Sequence, residues 1–160
     1  MHLPNGTAKP IKDIQKGDVV LCNTAGATAT VKCVLIIHVS TGRKPMVSFE
    51  NGLVITPMHP ILWDGEWLLP GEVVPEKEIG VEKVFNFVLE GEDSVVVNGI
   101  ICSVMGTMIS RKDIAHPFWG NKEKVVQCMK GVSAGGFDRG VVQIAGLLRN
   151  ERGTVYGFRS

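Results

Sequence analysis

In Leu53-Val54-Ile55-Thr56-Pro57-Met58-His59-Pro60, a threonine and a histidine stand three apart, each followed by proline. Imidazole titrates near neutral pH, and a hydroxyl can both give and accept a hydrogen bond. Such a pair suits holding a twisted peptide bond and protonating its nitrogen. The prolines restrict the backbone. Pro57 fixes its own φ and pushes Thr56 to an extended conformation, and Pro60 does the same to His59. Ring and hydroxyl are thereby offered at the mouth of a sheet with little freedom left. The same residues also fit a turn whose half-buried histidine merely bonds backbone, and chemistry alone leaves both readings open.

The other reactive types are scattered. The cysteines, Cys22, Cys33, Cys102 and Cys128, form no Cys-x-x-Cys pair. Their density is ordinary for free thiols in a reducing compartment, so a cytoplasmic location is expected. Cys102 has two readings. It can stand near the site as nucleophile or carboxylate substitute, or it is a small apolar strand residue. Cys22, Cys33 and Cys128 read as packing residues, Cys128 within a helix. His38 ends an apolar strand, and His116 before Pro117 reads as a loop anchor. Trp63, Trp67 and Trp119 read as core or lid residues. A zinc site built from His59, Cys102 and another cysteine lacks ligand spacing, so neither metal nor cofactor is expected.

The elements that must position Thr56 and His59 read as short strands and turns. Lys9 to Ile14 suggests a helical turn, and Val19 to Leu21 a strand. Val31 to Val39 is long, apolar and β-branched, and is expected to bend or to serve two sheets. Asn51-Gly52, Asp64-Gly65 and Asn98-Gly99 lie between apolar runs and signal two-residue hairpins with positive φ at both positions. Gly71 to Gly80 reads as a polar loop, and Val84 to Leu89 as a strand. Asn121 is placed to cap a helix over Lys122 to Lys130, closed by Gly131. Ser133 to Gly140 reads as a glycine-rich loop. Val141 to Leu148 and Thr154 to Phe158 then form a final hairpin.

Composition narrows the class. The chain has 160 residues, 44% of them hydrophobic, enough for a sizeable core. Its formal net charge of +1 provides no electrostatic pull toward nucleic acid or an anionic membrane. The 19 glycines and 8 prolines lie between short apolar runs, as in a turn-rich β protein. Met1-His2-Leu3-Pro4-Asn5-Gly6 is neither a signal nor a transit peptide, and reads as a chain cut from something longer.

Three segments together resemble the Hint domains of inteins and Hedgehog proteins. Asn5-Gly6 through Pro10-Ile11 to Gly17-Asp18-Val19 is similar to the end of the family's first block. Thr56-x-x-His59-Pro60 after a strand resembles its second block. Lys83 to Leu89 with Val95 to Ile100 resembles its late block. Asp64 to Trp67, Val97 to Gly106, His116 to Gly120 and Arg149 to Gly153 look like proteins that join a von Willebrand factor A domain to a Hint domain. The resemblance implies a mostly β, Hint/intein-like curved fold, horseshoe-shaped with a pseudo-two-fold. Residues 1–106 would form the Hint-type domain. Residues 107–160 would form a C-terminal extension with one short helix and a hairpin.

The resemblance also implies an activity. A Cys or Ser at the domain's first position attacks the preceding carbonyl, turning an amide into a thioester or ester. Thr56 and His59 match the residues that bind and protonate the scissile amide. The nucleophile itself is missing from Met1 to Pro4, so it lies upstream or is lost, and the chain as given is expected to be inactive. Asn86 stands where the family often has Asp, and an amide cannot relay protons. Glu92-Asp93-Ser94 replaces a frequent His. After Gly99 there is no His-Asn ending, so full splicing is not expected. The implied partner is the chain's own upstream segment, with further protein partners through a multidomain parent. The alternative is a non-catalytic interaction module on a Hint-derived scaffold.

Overall fold

The computed structural model describes residues 1–160. In chain order the strands are β1 (Val19–Leu21), β2 (Thr28–His38), β3 (Arg43–Ser48), β4 (Val54–Ile55), β5 (Ile61–Trp63) and β6 (Glu66–Leu68). Then come β7 (Lys77–Gly80), β8 (Lys83–Gly91), β9 (Ser94–Val97) and β10 (Ile100–Ser103). Helices α1 (Lys122–Val132) and α2 (Ala134–Arg139) precede β11 (Val141–Ile144), β12 (Gly146–Arg149) and β13 (Val155–Arg159). Single 3-10 turns occupy Ile11–Asp13 and Pro70–Glu72. The fold is mostly β, as expected, built from three open sheets and a separate hairpin rather than a closed barrel.

The 11-residue β2 is the spine. It takes β8 along one edge, and antiparallel β1 followed by parallel β11 along the other. Its register advances from Val31 to Cys33 while β8 moves only from Leu89 to Val88, so Lys32 is an extra, bulged residue. The bulge switches the faces. Ala29 and Val31 pack in a first core of 19 buried residues, as does Val34. Cys33 and Leu35 pack in a second core of 12. Unbroken alternation would have kept Val31, Cys33 and Leu35 together. The long apolar run therefore serves two cores from within one sheet. Both its faces are covered, which is why it reads as nearly continuous hydrophobicity.

A second sheet has the order β6-β5-β10-β9, and a third β4-β3-β7. Two of the expected hairpin turns have their expected form. Asp64 and Asn98 adopt φ of 49° and 48°, and the glycine after each is also positive. The turn at Asn51 differs. Phe49 N–H donates to the Leu53 carbonyl and Gly52 N–H to that of Phe49, giving a three-residue loop in which only Gly52 is left-handed. Asn51 is used otherwise. Its Nδ2 donates to the Asn98 carbonyl at 2.8 Å, and Asn98 Nδ2 returns a bond to the Asn51 carbonyl at 3.2 Å. The two hairpin tips are thus clasped. His2 joins them, its Nε2 accepting from Gly99 N–H at 3.0 Å.

Four loop and boundary assignments change. Lys77–Gly80, within the expected polar loop, is β7, an exposed strand whose backbone completes the edge of β3. Helix α1 runs through Gly131 to Val132. Ser133 then caps a second short helix where a loop was expected, its Oγ accepting from Gly136 N–H at 2.9 Å. A Cβ at Gly136 would lie 2.7 Å from the Val141 carbonyl, so Gly136 serves close approach of helix to strand. Val141 to Leu148 breaks at Ala145 into β11, which joins β2, and β12, which pairs with β13. No helix is long and apolar enough to cross a membrane.

Candidate functional site

Strand β4 delivers Thr56 into a tight turn, closed by His59 N–H donating to the Thr56 carbonyl at 3.2 Å. Strand β5 then leaves alongside β10, Ile61 opposite Cys102. The pairing extends past the strand ends, because Ser103 N–H donates to the Pro60 carbonyl at 3.0 Å. That places the Ser103 carbonyl under the imidazole, 2.6 Å from His59 Nε2. A carbonyl only accepts, so Nε2 carries the proton and Nδ1 keeps a lone pair. Nδ1 has no partner in the protein.

Burial holds the His59 pKa below its ordinary value, with the Ser103 carbonyl opposing. The ring is therefore neutral at physiological pH. A neutral imidazole anchored at Nε2 can take a proton on Nδ1 and hand it on. Thr56 is half-buried at the end of β4, and its hydroxyl bonds no protein group.

Cys102 points into the first core and is 3% exposed. Its Sγ lies 3.6 Å from the Ile100 carbonyl. Burial pushes its pKa up to about 12, against the opposing pull of the Met1 ammonium. The thiol is thus protonated and poorly suited to attack. The start of the chain lies along β9, the strand that pairs with β10. Met1 is buried, and its ammonium donates to the Lys9 carbonyl at 2.9 Å. His2 bridges β9 and β1, donating to the Val96 carbonyl and accepting from Leu21 N–H. The charge of the Met1 ammonium acts on Cys102, and the imidazole bonds the carbonyl of Ser103, the next residue of β10.

Asn86 makes no contact of this kind. Its Oδ1 accepts from Phe87 N–H at 2.8 Å. Phe87 and Leu89 pack in the first core and Val88 in the second, so alternation turns Asn86 toward the second. Thr56, His59 and Cys102 are brought around the β5–β10 pair, and Asn86 is not hydrogen-bonded to any of them. His116 anchors its loop, Nδ1 accepting from Phe118 and Trp119 N–H at 3.0 and 3.2 Å. No three His, Cys, Asp or Glu side chains cluster to hold a metal ion.

Sequence reasoning missed the support of the site. Ser103 acts through its carbonyl, which every residue type has, so no sequence signal marks it. Thr107 is buried; its hydroxyl accepts from Val104 N–H at 2.9 Å and lies within donating reach of the Asp93 carbonyl. Asp93 is ion-paired with Lys122 at the start of α1. These contacts root the segment that follows β10.

A family model described as a Hint domain, Vint, matches residues 1–157. Among solved structures, a variant of the Ssp DnaB mini-intein is similar at 23% identity and a TM-score of 0.47, over 62% of this chain and 85% of that one. A DnaB intein from Synechocystis sp. is similar at 23% identity and a TM-score of 0.46, over 62% and 88% of the two chains. No curated protein sequence matches.

Proposed function

The chain belongs to the Hint-domain family, and from that premise we propose that it is an autoprocessing domain acting on the peptide bond that enters its own N-terminal strand. The observation that carries this reading is the His59 ring, held at Nε2 by the Ser103 carbonyl with Nδ1 left open.

The reaction balances with groups of one chain. A Cys or Ser of the segment upstream of residue 1 attacks the carbonyl of the residue before it. The proton of its thiol or hydroxyl passes to His59 Nδ1. The C–N bond then breaks, and the same proton moves from Nδ1 to the departing amide nitrogen. The products are a thioester or ester and a free α-amine. Thr56 Oγ1 holds the scissile peptide in its distorted form. Distortion and proton transfer must supply several kcal/mol, since each ~1.4 kcal/mol off the barrier is tenfold in rate. Thiol or water then cleaves the acyl bond; without a His-Asn ending, splicing does not follow. The resemblance of several segments to von Willebrand factor A–Hint proteins supports taking the upstream part of such a multidomain parent as the substrate.

The test joins a reporter, through the parent's upstream residues, to position 1. Dithiothreitol should release the reporter. His59→Ala should slow release about 10²–10⁴-fold, the usual worth of a positioned acid–base group, and Thr56→Ala should slow it less. An intact fusion under thiol, or a His59→Ala protein cleaving at the parent rate, overturns the proposal.

A further inference from the structure

The chain after β10 runs from the site to a second point that touches it. At its root, Thr107 is bonded to Val104, next to the Ser103 whose carbonyl holds His59. Further on, Arg111 reaches Glu72 with both terminal nitrogens, Nη1 and Nη2 each 2.7 Å from a carboxylate oxygen. Asp113 grips the same guanidinium from the other side, at 2.8 Å to Nε and 2.8 Å to Nη2. A planar fork held along two edges has little freedom. Glu72 in turn accepts from Leu69 N–H at 2.8 Å, fixing the 3-10 turn Pro70–Glu72. Gly71 in that turn faces Pro57, close enough that a side chain there would touch it: a Cβ at position 71 would lie 3.9 Å from the proline Cβ. Pro57 sits between Thr56 and His59.

We propose that residues 104–111 form a strap bracketing the Thr56–His59 turn from both sides, and that Arg111 is a positioning residue acting through Glu72, Gly71 and Pro57 on the imidazole. The proposal rests on Thr56 and His59 being the working groups, but its test reads the ring itself and requires no cleavage. An exposed ion pair contributes little stability by itself. Here it has a different use, because the half-exposed carboxylate also pins the turn that backs the site. The guanidinium holds the Glu72 carboxyl down at about 2, so the pair persists across the whole working pH range.

The groups acting on His59 are burial and the Ser103 carbonyl, with no charged side chain among them. Loosening the turn admits water to the ring, and its titration midpoint must rise. Side-chain NMR of the full chain follows this for His59, with His38 on β2 as control. Arg111→Gln and Glu72→Gln should each raise the His59 midpoint toward the ordinary value. The double variant should shift it no further than either single, because both act on one link. Arg111→Lys, which keeps charge but not the fork, should recover part of the shift. His38 should not move, and melting temperatures should stay close to the parent's. An unmoved His59 midpoint in both single variants, or additive shifts in the double, overturns the proposal. Should the shifts appear while thiol releases no reporter, the strap stands and the autoprocessing reading fails; release that needs His59 with an unmoved midpoint means the reverse.

Discussion

Cys102 can be tested as a nucleophile by its rate of alkylation. Its pKa rises from an ordinary 9.0 to about 12, because burial disfavours the thiolate. At neutral pH that lowers the thiolate fraction about a thousandfold. A more basic thiolate is more nucleophilic, with a Brønsted slope of about 0.4–0.5, which returns about twentyfold. The net effect is about fiftyfold slower reaction before access is considered. Access slows it further, since the residue is 3% exposed. For Cys22 and Cys33, raised to about 11, the same reasoning predicts about tenfold before access. Cys128, half-buried on α1, should label first. The assay is iodoacetamide labelling of native protein with peptide mass spectrometry, normalised to the rate in denaturant. Labelling of Cys102 within tenfold of its denatured rate would refute the reasoning. It would also make that thiol, on which the charge of the Met1 ammonium acts, a rival to an upstream nucleophile.

Stability should fall on acidification through His59. Its folded pKa lies below the ordinary 6.5, so the unfolded chain takes the proton first. The contribution is complete above pH 6.5 and is lost as pH falls below it toward the folded value. His59→Gln should lose less stability between pH 7 and pH 5 than the parent in urea titrations; equal losses would contradict this. His116, shifted the same way by burial, accounts for a remainder. Asn98→Ala should cost about 1.5–2 kcal/mol, roughly 1 for a left-handed alanine and the rest for the bond to Asn51. Asn98→Gly keeps the backbone and should lose only the smaller share; equal losses would deny the clasp. Thr107→Val leaves the buried Val104 N–H unpaired and should cost about 1–3 kcal/mol, where Thr107→Ser costs less. A Ser variant as damaged as the Val variant would mean that the methyl, not the hydroxyl, roots the strap.

Features that need only neighbouring residues were legible in the chain alone. The turns at Asp64-Gly65 and Asn98-Gly99 follow from which residues tolerate positive φ, and the start of α1 from an Asn121 side chain that reaches Lys124 N–H. The turn at Pro57 and Pro60 follows from proline's fixed φ. The family likeness suggested the roles proposed for Thr56 and His59. Tertiary structure decided what depends on distant partners. The parity switch at Lys32 is set by β8, some sixty residues on. Strand β7 is polar and becomes a strand because β3 has an open edge. Asn51 departs from its expected turn, and its side chain clasps Asn98. The tautomer of His59 is set by a carbonyl 44 residues away. Backbone groups look alike in every residue, so what they hold depends on where the fold puts them. Composition and spacing could name the imidazole, but only the packed chain could say which of its nitrogens is free.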